Sequence, residues 1–102
     1  MQRENGRITT INKEMGITHH DFYAELPALL GNSPYQQYNA TISFEIDDKP
    51  VEITLGPEQV RELGPSVRLP VTFVTLRFFD FSEEEIRDFI ERFNLRFMKG
   101  GG

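Results

Sequence analysis

His19, His20 and Asp21, with Glu25 one helical turn later, are the one place in this 102-residue chain where imidazoles and carboxylates crowd together. Such a cluster is the raw material for a transition-metal site, or for proton transfer near neutral pH. Shared ligation on a helix requires positions three or four apart. Asp21 and Glu25 have that spacing, but adjacent histidines point to different sides of a helix, and no third ligand is spaced to complete a set. The expectation is two partly exposed histidines in a first helical turn. A small-ligand or metal-binding site at His19, His20 and Glu25 is kept as the alternative, with no metal or cofactor assigned.

Other chemistry has less to stand on. Ser33, Ser43, Ser66 and Ser82 fall in a loop, on a strand face, in a loop and at a helix cap, and none sits in a nucleophile elbow. Glu83, Glu84 and Glu85 crowd one end of a helix while Arg92, Arg96 and Lys99 crowd the other, which matches the helix dipole rather than general acid–base work. Gly56-Pro57 and Gly64-Pro65 punctuate turns and lack the Lys and Ser/Thr of a phosphate loop. With no Cys, disulfides, thiolate metal sites and cysteine nucleophiles are excluded together. Catalysis is therefore not the expectation.

Charge and composition narrow the partners. Sixteen acids against eleven Lys and Arg give a net charge of −5, with no basic cluster for phosphate, so nucleic acid is not expected. No apolar run approaches a membrane span, and Met1 to Gly6 is too polar for a signal peptide. A cytoplasmic, soluble, acidic protein is the expectation. Residues 1–6 read as a disordered N-terminus, 7–99 as a single α+β domain and 100–102 as a flexible glycine tail.

The elements that would position these residues alternate in type. Arg7 to Ile11 reads as a strand. Thr18 and Asp21 suggest a helix cap, and Phe22, Leu26, Leu29 and Leu30 share a helical face, with a kink or early stop expected at Pro27. Ile42, Phe44 and Ile46 alternate, as do Val51, Ile53 and Leu55. A two-residue turn at Asp48-Lys49 would set Ile46 opposite Val51, Phe44 opposite Ile53 and Ile42 opposite Leu55. It would also set Glu45 against Glu52, with Arg77 as the expected neutralising cation. Glu58 to Leu63 reads as a short helical turn. Val71 to Phe81 is a long strand with apolar residues in both phases: Val74, Leu76 and Phe78 on one face, Phe73 and Phe79 on the other. Ser82 and Glu85 form a capping box for a last helix carrying Ile86, Phe89, Ile90, Phe93 and Phe97 on one stripe.

The predicted architecture is α+β, a two-layer sandwich of a four-stranded, mainly antiparallel sheet with two main helices on one face. The order strand, helix, strand, strand, short helix, strand is ferredoxin-like, with the C-terminal helix added. Such an order carries no function. The functional expectation is a small non-catalytic interaction or assembly module. Its partner is expected to be a second copy, making a homodimer, or another protein. Val71, Phe73, Arg77 and Phe79 on the uncovered sheet face are the predicted contact surface.

The closing Gly100-Gly101-Gly102 resembles the C-terminal glycines of ubiquitin-like carriers, which would imply activation of the terminal carboxylate and transfer to a partner. The resemblance covers the tail alone. A ubiquitin-like fold opens with a strand hairpin, whereas here a helix follows the first strand. Gly100 also serves as the residue that ends a helix.

Overall fold

A computed structural model describes residues 7–101, with side chains to Phe97. The chain folds as β1 (Ile8–Met15), α1 (His19–Leu29), β2 (Gln36–Tyr38), β3 (Thr41–Ile46), β4 (Lys49–Leu55), β5 (Gln59–Glu62), β6 (Arg68–Phe79) and α2 (Glu83–Gly101). The α+β class and the antiparallel sheet are as expected. The strand count is not: the sheet has six strands, in the order β1-β6-β4-β3-β2, with β5 pairing β6 off that path. Every neighbouring pair is antiparallel, and the expected ferredoxin-like order is not found, because β1 lies at an edge of the sheet and a strand, β5, stands where the short helix was expected.

The helices form where the sequence marks them. The Thr18 hydroxyl accepts the Asp21 N–H at 3.0 Å, and α1 then runs to Leu29 with Pro27 inside it. No break occurs there: the proline forfeits the one bond its own N–H would make to the carbonyl four residues back, and the Leu30 N–H still closes the last turn on Leu26 O at 3.0 Å. Ser82 and Glu85 cap each other reciprocally, at 2.8 and 3.1 Å. The end of α2 lies two residues past the expected boundary. Gly102 and the expected disordered segment 1–6 lie outside the described residues.

One core joins both helices to one face of the sheet. Phe22, Leu26 and Leu29 of α1 and Ile86, Phe89 and Phe93 of α2 are buried with Ile42, Phe44, Val51, Ile53, Leu55, Val74, Leu76 and Phe78. The β3–β4 hairpin presents the predicted apolar face in a different register. Its turn is Asp47-Asp48, both at positive φ, and Ile46 faces Lys49, Phe44 faces Val51, and Ile42 faces Ile53. A two-residue loop with both φ positive suits a twisted hairpin, and aspartate tolerates that region. The shift from the expected register is two residues, which preserves the side-chain phase and so leaves the buried face intact.

That register brings Lys49 over the start of α2. Its ammonium bonds both Glu85 oxygens at 2.6 Å and lies 4.9 Å from the Phe81 ring centroid. The Lys49 bond first, and then the Ser82 N–H, hold the Glu85 carboxyl below its usual range. A carboxylate lowered on folding contributes stability above its unfolded range, and that contribution is lost as pH falls through the folded value. Glu85→Gln is therefore expected to be less stable than the parent near neutral pH, with the gap narrowing as pH falls through the acid range. Urea unfolding at neutral and acid pH measures it, and a gap that does not change with pH would refute the account.

The predicted short helix at Glu58–Leu63 is a correction. Those residues form β5, where Gln59 faces Val71 and Glu62 faces Arg68. β4 covers Val74 to Phe78 of β6, Gly56 to Glu58 interrupt the ladder, and β5 then covers Arg68 to Val71. β1 stops at Thr72, so beyond it β5 and β6 continue as a two-stranded ribbon. Gly56 suits the close approach at the interruption: its N–H donates to Phe73 O at 2.7 Å, and a Cβ there would lie a tight 3.2 Å from the same oxygen.

Candidate interaction surface

The histidine cluster does not assemble. The His19 ring bonds the Gly56 carbonyl through Nε2 at 2.7 Å, and its backbone N–H donates to Glu58 Oε1 at 2.9 Å. His19 thus ties the start of α1 to the base of the ribbon. His20 is solvent-exposed beside Asp21. Glu25 lies one turn along, its carboxylate 3.4 Å from the Arg96 guanidinium of α2. Among the described residues, no group of three or more acids or histidines is placed to hold a metal ion. No helix among them is long and apolar enough to cross a membrane.

The face of the sheet away from the helices is built in rows set by register. One row runs Asn12, Thr75, Thr54, Thr41, Tyr38; the next runs Thr10, Arg77, Glu52, Ser43, Gln36. These polar side chains largely satisfy one another. Thr75 donates to Asn12, the Thr41 and Thr54 hydroxyls are 3.0 Å apart, and Arg77 sits 3.7 Å from Glu52. The expected cation beside Glu52 is thus Arg77, but Glu52 faces Ser43 while Glu45 faces Pro50, so the expected carboxylate pair is not opposed.

The four residues read as a contact surface divide between the two ends of this face. Arg77 and Phe79 sit at one end, with the Arg77 guanidinium 5.9 Å from the Phe79 ring centroid and Ile8 opposite Phe79. Phe73, 47% exposed, lies at the other end, where the ribbon begins. Val71 is buried. An ion pair between Arg61 of β5 and Glu14 of β1 spans β6 from one side to the other. Arg61 faces Leu69 and Glu14 faces Phe73, so the pair closes over Val71 between them.

Along the ribbon the same phase of β5 and β6 carries Leu63, Val67 and Leu69, respectively 58%, 48% and 44% exposed. Phe73 is on the same face, beyond the Arg61–Glu14 ion pair, and with them makes an apolar stripe that this pair crosses. Val60 is exposed on the opposite face, beside the Glu62–Arg68 ion pair. The sequence reading of Glu58–Leu63 as a helical turn hides this stripe. The signal available was Val60 and Leu63 on one side of Gly64-Pro65 and Val67 and Leu69 on the other, a hairpin pattern.

No protein-family model matches the chain, and neither a curated protein nor a solved structure is similar to it.

Proposed function

We propose that this protein is a small interaction module that self-associates as a homodimer, with no catalytic step, working in the cytoplasm. The apolar stripe Leu63, Val67, Leu69 and Phe73 carries this reading. Large apolar side chains grouped on a two-stranded extension gain nothing from the protomer's own core. Each is about half exposed and so forgoes about half of the roughly 1.5–3 kcal/mol that full burial of such a side chain is worth. Grouped exposure of this kind marks contact surfaces. Of the predicted set, Phe73 lies at the base of this stripe, Val71 is buried next to it, and Arg77 and Phe79 lie at the other end of the sheet face. The dispersal of His19, His20 and Glu25 gives the small-ligand reading no comparable support, and Gly102, on which a carrier role depends, lies outside the described residues.

Sedimentation velocity of the parent and of Leu69→Asp tests the proposal. The parent is expected to sediment as a dimer and the variant as a folded monomer, since position 69 is exposed and its charge costs the protomer little. A parent that remains monomeric at high concentration overturns the reading.

A further inference from the structure

The two edges of the sheet differ. At one, β2 is three residues long, enters from Pro34 and leaves at Asn39, whose positive φ turns the chain. A short edge strand offers little to pair with. At the other, β1 runs eight residues without proline or glycine in an unbroken register, and among the described residues only β6 pairs with it. Lysine is a usual guard of such edges. Here Lys13 is drawn over α2 instead, its ammonium 5.9 Å from the Phe93 ring centroid.

The free backbone groups of β1 follow from the ladder. The bond from Gly56 N to Phe73 O directs the odd residues of β6 toward β4 and the even ones toward β1. Through the β1–β6 register this turns Thr9, Ile11, Lys13 and Met15 inward. The N–H and C=O of Ile8, Thr10, Asn12 and Glu14 are left along the outer edge. The bond from Asp80 N to Arg7 O obeys the same alternation.

Resting on the self-associating reading above, we propose that a second copy of this chain adds along that edge, β1 against β1. The strands are antiparallel about a two-fold axis normal to the sheet at Ile11. This axis keeps like faces together and sets Ile11 opposite Ile11, Thr10 opposite Asn12, Ile8 opposite Glu14 and Thr9 opposite Lys13. Every outward-facing residue of β1 falls in a hydrogen-bonded pair, giving about eight new bonds. No like charges meet across the junction. An axis at Thr10 or at Asn12 would leave Glu14 or Ile8 without a partner within the strand. Ile11, already packed against the core, meets its own copy and extends that core. The second copy's Arg7 comes opposite Met15, so the paired strands end where the ribbon begins and the apolar stripe lies beyond them.

The chain contains no cysteine, which makes the register directly testable. Opposed residues in a non-hydrogen-bonded pair have Cα atoms about 4.5 Å apart, within disulfide reach. Ile11→Cys should therefore give a disulfide-linked dimer as the main product of mild oxidation. Thr10→Cys and Asn12→Cys, offset from their own copies by more than about 7 Å, should stay unlinked. Asn12→Pro removes an N–H that points outward and no backbone bond to β6, losing besides only the exposed side-chain bond from Thr75, so it should fold and dimerise at least about tenfold more weakly. That variant carries the test alone if Ile11→Cys disturbs the core. A parent dimer whose Ile11→Cys form stays unlinked and whose Asn12→Pro form associates as tightly as the parent overturns edge pairing but leaves self-association standing. A monomeric parent overturns both.

Discussion

Phe93→Ala is expected to lose on the order of 3–5 kcal/mol of stability, the largest effect of any single truncation considered for this chain. Phe93 is fully buried, and its ring centroid lies 6.2 Å from Phe22, 6.2 Å from Phe89 and 4.7 Å from Phe97. Together with Phe97, whose ring stacks on Phe22 at 4.8 Å, it joins α2 to α1, so its removal leaves a cavity in the core the two helices share. For a domain of this size each kcal/mol moves the unfolding midpoint by about 4–8 °C. The expected fall is thus at least about 12 °C, followed by circular dichroism on heating. A fall of under about 5 °C would show that α2 does not complete the core through this residue.

Thr72→Val is expected to cost about 1–3 kcal/mol despite the near-identical shape of the two side chains. Thr72 is the fully buried polar side chain among the described residues, and its hydroxyl donates to the Ile17 carbonyl at 2.8 Å. Valine fills the same space but leaves that carbonyl without its donor, and the penalty for an unmet buried acceptor exceeds the small gain from a methyl. The bond also joins β6, where the ribbon begins, to the loop between β1 and α1. Thr72→Ser keeps the hydroxyl and should fall between the parent and Thr72→Val. Urea midpoints decide it: a Thr72→Val protein as stable as the parent would remove the bond from the account.

What the sequence made legible was local. The α2 cap, its apolar stripe and the Thr18 cap of α1 are each fixed by residues within one or two turns, and the structure contains all three. The hairpin was legible in phase but not in register, because alternation is unchanged by a slip of two. Only the backbone preference of Asp47 and Asp48 selects the observed turn. β2 and β5 were not legible. β2 is a three-residue polar strand with no periodicity to read, and β5 is held by pairing with β6 across a five-residue loop rather than by its own propensity. The strand order depends on β1 meeting β6, a contact between opposite ends of the chain that no local pattern announces. The candidate surface suffered for the same reason. Phe73 was visible as an apolar residue out of phase with the core, but the ribbon that extends its surface exists only through the β5–β6 pairing.

The β1–β6 pairing also fixes an order of events during synthesis. β1 leaves the ribosome first, yet its one partner among the described residues is the last strand to be made. At roughly 5–20 residues per second, β1 spends several seconds with both edges bare. Contacts this distant in sequence also slow folding once the chain is released. The newborn chain is thus most vulnerable to mispairing before β6 emerges, and a holdase that covers Ile8 to Met15 in that interval would raise the yield of folded protein without altering its final stability.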